Sequence, residues 1–329
     1  MNVHILGAGT WGITLGQLLS ENGHSVKVWH YKSDFLDKLH SGRRHPNLPE
    51  ISLHPNIKFD PNIQNCIQSD WIISAVPCQA TRNVLSKIHG INSDNKIVCV
   101  SKGIEVDSEK TMSQVIAESL EIPSGNICIL YGPTHAEEVL RKLPTTIVAA
   151  SENDKIALEV QHLFSNSYFR VYRSNDVLGV ELGGSVKNVI SIAAGICTGI
   201  GYGDNTLAAL LTRGNHEISR LGEVMGADKT TFSGLSGIGD LIVTATSPHS
   251  RNRQVGLKLG EGQSLNDILN EMNMVAEGIE TTKALHKLAN TWDVELPICE
   301  QIYQVLFNQK NPKSAIADLM QRSLTRESV

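Results

Sequence analysis

The sequence has no CxxC pair and no regular cysteine spacing. Cys66, Cys78, Cys99, Cys128, Cys197 and Cys299 are scattered, mostly inside apolar runs such as "KIVCV" and "NICIL". That excludes a disulfide framework and reads as buried free thiols in a reducing cytoplasm. The twelve histidines show no HExxH or other ligand spacing, so no metal site is expected. An excess of positive charge is also missing. Lys and Arg number 29 against 34 Asp and Glu, a net charge of -5, which leaves no bulk electrostatic footing for nucleic acid or an anionic membrane. No basic segment precedes an apolar core at the start, and "MNVHILGAGT" reads as a first strand rather than a signal peptide. The most apolar stretch, near 176–200, carries Glu181, Lys187 and Asn188 and so is not expected to span or insert in a membrane. No internal repeat and no low-complexity segment is found.

What is present is a chain of 329 residues, 41% hydrophobic, long enough for two domains. Its first half alternates short β runs with helical stretches. "VHIL" (3–6) is a strand, "TWGITLGQLLSEN" (10–22) an amphipathic helix and "SVKVWH" (25–30) a second strand. Further strands are expected at 70–76, 96–101, 126–131, 145–151 and 168–174, while 40–69, rich in Pro, Asn and His, reads as an irregular excursion. Continuous apolar strands with helices between them imply a mostly parallel sheet covered on both faces. After "YFRVYRS" (168–174) strand patterns vanish and long helical segments with Gly-rich connections follow. The fold class is therefore α/β: a Rossmann-like domain over 1–174 and an all-helical domain over 175–329.

"GAGTWG" (7–12) follows the first strand and opens the first helix. In that context GxGxxG marks a dinucleotide site. Gly7 allows the tight turn, Gly9 lets the backbone approach a pyrophosphate, and Gly12 lets helix pack on strand. The helix N-terminus offers free N–H groups to phosphate. An NAD-selective site places an acid at the end of the second strand. Here Trp29-His30-Tyr31-Lys32 stand there, with no acid before Asp34, so NADP is tolerated as well as NAD.

Ligands of open parallel sheets gather at the carboxyl ends of the strands. Lys102 in "SKGIE" and Gly132, Pro133 and Thr134 in "YGPTHAEEV" lie there. Lys102 is either a solvated turn lysine or a ligand on that edge, and His135 reads as structural. In the second half, Lys187 sits on a helix face whose neighbours are Gly183, Gly184, Ile190, Ser191 and Ala194, none of them an acid. Such a lysine either snorkels to the surface or is held in a crevice. Asp240, between Gly239 and an apolar run, is expected to be half-buried and to need a partner, for which Lys187 is the candidate. Arg251 and Arg253 in the "SRNR" turn suit phosphate or simply water, and Glu277 precedes Gly278 at a possible helix start.

The motifs "GAGTWG", "SKGIE", "GPTHAEEV", "ELGGSVKNVISIAAGI", "GIGDLIVTATSPHSRN" and "VAEGIETT", in this order, resemble the bacterial-type NAD(P)-dependent glycerol-3-phosphate dehydrogenases over most of the chain. The resemblance implies reduction of dihydroxyacetone phosphate to sn-glycerol 3-phosphate for phospholipid synthesis. It implies a cytoplasmic homodimer that binds a phosphorylated small molecule and NAD or NADP, with no nucleic-acid partner. Carried over by motif, Thr10 and Trp11 contact the cofactor within the Gly7–Gly12 loop, and Ala136, Arg251, Val275 and Glu277 complete its site. Lys102, Gly132, Thr134, Asp240, Ser250, Arg251 and Asn252 hold substrate. Lys187 is the proton donor and acceptor, with Lys102 and Asp240 as its catalytic neighbours and Lys102 also within reach of the cofactor. Tyr31 stands where the family often has a basic residue, which leaves the NAD or NADP preference open. A β-hydroxyacid dehydrogenase of the 6-phosphogluconate type also pairs these domains and uses a helix lysine. Many of those place Asn four residues after it, where this chain has Ser191. A dinucleotide sensor without catalysis has no need of Lys187, Asp240 and Arg251 together.

Overall fold

A computed structural model describes the chain except for residues Ser93, Asn273, Met274, Thr325, Ser328 and Val329. The alternating half forms one eight-stranded sheet: β1 (Asn2–Leu6), β2 (Ser25–Trp29), β3 (Lys58–Phe59), β4 (Trp71–Ser74), β5 (Lys96–Cys99), β6 (Ile127–Tyr131), β7 (Thr145–Ala150) and β8 (Phe169–Ser174). Between the strands lie α1 (Thr10–Glu21), α2 (Ser33–Gly42), α3 (Thr81–Leu85), α4 (Met112–Leu120), α5 (Ala136–Leu140) and α6 (Asp154–Phe164). The strand order is β3-β2-β1-β4-β5-β6-β7-β8, parallel throughout except where β7 runs antiparallel to β6. The excursion at 40–69 is less irregular than its composition suggests, since it carries the end of α2, the edge strand β3 and a 3₁₀ turn at Ile63–Gln68.

Both faces of the sheet are covered, as the unbroken apolar strands require. Val3, Ile5, Val26 and Val28 pack under α1, α2 and α6, while Leu6, Ile72, Ile97 and Ile129 pack with α3 and α4 on the other side. The chain leaves β1 toward β2 on one side and enters β4 on the other. The carboxyl ends of β1 and β4 therefore open the crevice in which such sheets bind ligands.

The remaining helices are α7 (Val177–Ile200), α8 (Asp204–Met225), α9 (Asp240–Thr246), α10 (Arg251–Gly260), α11 (Leu265–Glu271), α12 (Glu277–Thr291), α13 (Pro297–Phe307) and α14 (Pro312–Met320). Helix α7 is apolar on nearly every side because it is the centre of this half, with α8, α9, α10 and α12 packed around it. It is long and apolar enough to cross a membrane, but 89% of its most apolar window is buried inside the protein. Its contact with α10 depends on absent side chains. A Cβ on Gly256 would lie 1.9 Å from the Ile192 carbonyl oxygen, so this crossing admits only glycine there. The buried Glu181 accepts hydrogen bonds from the Ser113 N–H (2.7 Å) and hydroxyl (2.6 Å), tying α7 to the first turn of α4 in the sheet half.

A second buried carboxylate, Glu217 on α8, accepts from the Ile298 and Cys299 N–H groups at 2.7 and 3.2 Å, in the first turn of α13. Replacing Glu217 with alanine leaves two buried donors unpaired at about 1–3 kcal/mol each. Glu217→Ala is therefore expected to lower unfolding free energy by about 2–6 kcal/mol in denaturant titration, whereas Glu217→Gln, which keeps one of the two acceptor oxygens, loses less. Equal losses in the two variants would mean that the one oxygen Gln retains does not hold its N–H partner at this position.

Candidate active site

The first part of the site is local to the chain after β1. Gly7 has φ +118°, and a Cβ on it would lie 2.5 Å from the Ala75 carbonyl oxygen, so the turn both needs left-handed backbone and leaves no room for a side chain. Gly9, by contrast, faces open space. No side chain caps α1, which leaves its first N–H groups available, and the buried Thr10 hydroxyl has no partner among the described residues. Trp11 is half-buried and packs on the core beside the loop. The rim after β2 carries the exposed Tyr31, with the His30 ring 4.5 Å away and the Lys32 ammonium 5.4 Å above its ring.

The second part gathers from both halves. Lys187 on α7 and Asp240, the first residue of α9, are 5% and 1% exposed. Asp240 is thus fully buried rather than half-buried, because α9 packs directly on α7. The Lys187 ammonium donates to Asp240 Oδ1 at 2.6 Å and to the Thr244 hydroxyl at 2.5 Å. The Lys102 ammonium, reaching over from the turn after β5, donates to Asp240 Oδ2 at 2.6 Å and to the Gly132 carbonyl at 3.0 Å. It also lies 5.5 Å from the Tyr131 ring centroid. Lys102 is therefore no solvated turn lysine. Thr134, one step further along the β6 loop, donates its hydroxyl to the Gly132 carbonyl at 3.2 Å.

One carboxylate shared by two ammonium groups leaves the cluster one positive charge in excess. Burial pushes the Lys187 ammonium down to about 7, against the opposing pull of Asp240 and with a further push from Lys102. A group poised there can both give and take a proton near neutrality. Thr244 did not stand out in the sequence. Its one signal is the spacing of four from Asp240 in "DLIVT", which puts both on one face of α9.

The third part is the start of α10. "SRNR" is not a turn, since Ser250 caps the helix, its side chain accepting from the Arg253 N–H at 3.2 Å, and Arg251 is its first residue. The buried Asn252 uses its carboxamide oxygen to accept from the Gly278 N–H at 3.0 Å, so its amide NH₂ is what remains for a ligand. The exposed Arg251 guanidinium donates to the Val275 carbonyl at 2.6 Å; the Val275 side chain itself is half exposed. Glu277 opens α12 and accepts from the Cys78 N–H beyond β4 at 3.1 Å, joining the two halves across the crevice. Burial raises its carboxyl above the usual range, and the Cys78 N–H and Arg251 pull it back. Ala136 is buried at the first position of α5. His135, just before it, has a buried Nε2 with no partner among the described residues. Ser191, where the rival family places Asn, donates its hydroxyl to the Lys187 carbonyl at 2.9 Å and so is spent within its own helix.

The sequence models of the NAD-dependent glycerol-3-phosphate dehydrogenase N-terminus and C-terminus match residues 2–157 and 176–317. The chain is 48% identical over 326 residues to the glycerol-3-phosphate dehydrogenase [NAD(P)+] of Prosthecochloris aestuarii, covering 98% of each chain. It is 46% identical over 331 residues to the enzyme of the same name from Syntrophotalea carbinolica, covering 99% of each. Among solved structures, the glycerol-3-phosphate dehydrogenase of Coxiella burnetii superposes with a TM-score of 0.93 at 33% identity, over 98% of this chain and 99% of that one.

Proposed function

The chain belongs to the NAD-dependent glycerol-3-phosphate dehydrogenase family, and we infer from its site how it carries out the NAD(P)H-dependent reduction of dihydroxyacetone phosphate to glycerol 3-phosphate. The observation that carries the assignment of roles is the Lys187–Asp240–Lys102 cluster, one buried carboxylate bonded at 2.6 Å to two ammonium groups at the edge of a dinucleotide cradle.

The cradle fits NAD or NADP. Open space at Gly9, the uncapped start of α1 and the unpartnered Thr10 hydroxyl are the features a pyrophosphate takes up. When bound, the cofactor supplies the hydride that reduces the ketone carbon. Lys187 holds the proton for the ketone oxygen and stabilises the negative charge developing there. Thr244 and Asp240 fix its ammonium in place, and Lys102 adds a second positive charge for an anionic substrate. Arg251 and the first turn of α10 grip the phosphate, with the Ser250 hydroxyl and the Asn252 amide beside them. The family resemblance supports a cytoplasmic homodimer that feeds glycerophospholipid synthesis.

The direct test is oxidation of NADH and of NADPH with dihydroxyacetone phosphate. Both cofactors are expected to support turnover, since no acid stands on the rim beside Tyr31. Absence of turnover with either cofactor would overturn this function. Arg251 is tested by crossing enzyme against substrate. Arg251→Ala is expected to lose most of its kcat/KM on dihydroxyacetone phosphate, by about ten- to a hundredfold, yet little on unphosphorylated dihydroxyacetone. Arg251→Lys should not rescue it, because an ammonium lacks the planar fork. Equal losses on both substrates would move Arg251 from the phosphate to the cofactor or the fold.

A further inference from the structure

His135 lies in the loop between β6 and α5, between the two ends of the substrate site. Its ring is near enough to Lys187 to feel that charge, and its centroid is 5.8 Å from that of His249, which directly precedes the α10 cap Ser250. Burial and the Lys187 charge disfavour the charged ring more than the Val243 backbone on α9 and the carboxylates of Glu137 and Glu138 favour it. Its Nε2 is buried and has no partner among the described residues. Buried polar atoms are almost always paired, so such an orphan within range of the Lys187 charge calls for a ligand atom.

A neutral imidazole carries one proton, and the tautomer that holds it on Nδ1 presents Nε2 as a bare lone pair. Burial and the Lys187 charge both lower the basicity of this imidazole, while Glu137 and Glu138 oppose them. A neutral acceptor gains nothing from a phosphate oxygen or a ketone oxygen, which are acceptors too. Dihydroxyacetone phosphate as its dianion carries a single hydrogen-bond donor, the primary hydroxyl.

Resting on the function given above, we propose that His135 is a specificity-determining residue whose Nε2 accepts a hydrogen bond from the primary hydroxyl of dihydroxyacetone phosphate. The enzyme then distinguishes its substrate from hydroxyacetone phosphate, the same molecule without that hydroxyl. A site built to bond a hydroxyl rejects the analogue that lacks it, because its own buried atom is left unpaired.

The test compares kcat/KM for three substrates: dihydroxyacetone phosphate, hydroxyacetone phosphate and unphosphorylated dihydroxyacetone. His135→Phe fills the ring space without a lone pair, and His135→Leu serves if the aromatic variant does not fold. His135→Gln restores an acceptor near Nε2. NADPH binding, followed by fluorescence without turnover, checks that the site is intact. The wild type should prefer dihydroxyacetone phosphate to hydroxyacetone phosphate by at least about tenfold, the worth of one such bond. The apolar variants should bring that ratio toward one, mainly by losing activity on dihydroxyacetone phosphate, and Gln should recover part of it. An unchanged ratio, or equal losses on both phosphorylated substrates, overturns the proposal. So does a loss of discrimination between dihydroxyacetone phosphate and dihydroxyacetone alone, which would put the ring on the phosphate. A wild type that turns over dihydroxyacetone phosphate but accepts hydroxyacetone phosphate equally well overturns this inference and leaves the function standing. A wild type inactive on dihydroxyacetone phosphate overturns both.

Discussion

Lys187→Ala is expected to lower kcat for dihydroxyacetone phosphate reduction by at least about a hundredfold, the low end for a lost general acid, with cofactor affinity little changed. The pH dependence supplies the signature of the group. Lys187 titrates at about 7 in the fold. Reduction needs its protonated form, so wild-type kcat/KM should fall as pH rises through that region. Oxidation of glycerol 3-phosphate needs the neutral form and should rise over the same range. Residual activity of Lys187→Ala should show neither limb. The same residue costs stability. Its folded pKa lies well below the value near 10.4 of an unfolded lysine. Between about pH 7 and 10 the unfolded chain therefore binds a proton that the folded one does not, so the penalty is full below about 7 and fades as pH rises toward 10. Lys187→Met keeps the length without the charge and leaves Asp240 paired with Lys102. It should melt at a higher temperature than wild type at pH 7 while remaining inactive, an exchange of stability for function. A Lys187→Ala enzyme with near-normal kcat would return this lysine to a structural role.

The second large effect is expected at Asp240. Asp240→Ala leaves the Lys187 and Lys102 ammonium groups together with no anion between them. Removing one member of a buried pair costs about 3–5 kcal/mol, so this variant should unfold markedly earlier in denaturant. Asp240→Asn is the cleaner probe. It retains an oxygen for one lysine but removes the charge that holds Lys187 protonated, so the Lys187 pKa should fall below about 7. Reduction at pH 7 should drop at least about tenfold and recover as the pH is lowered, the basic limb having moved with it. An Asp240→Asn enzyme that keeps the wild-type pH profile would show that Asp240 does not set the charge on Lys187.

These effects divide according to how far apart in the chain their causes lie. The cradle is written in consecutive residues. A strand, the Gly7 turn and an uncapped helix follow one another in "VHILGAGTWG", and backbone sterics at Gly7 alone dictate the turn, so this part of the site and the sheet class were legible directly. The apolar periodicity also made α7 legible, and the order of motifs made the family legible. The sequence could not tell whether Lys187 snorkels or is buried, because no neighbour on its own helix answers that question. Asp240 lies 53 residues from Lys187 and 138 from Lys102, and only the packing of α9 on α7 against the ends of β5 and β6 brings the three together. The same packing made Asp240 more buried than expected and recruited Thr244. It also turned "SRNR" into a capped helix start, whose Ser250 and Asn252 oxygens are committed to the backbone. A proton affinity near 7 on a lysine is the result of desolvation and neighbouring charge, both properties of space rather than of sequence. The residues able to do this chemistry were therefore readable in the sequence, whereas their charge states and free hydrogen-bonding atoms were decided by tertiary structure, which alone sets what each side chain faces when water is removed.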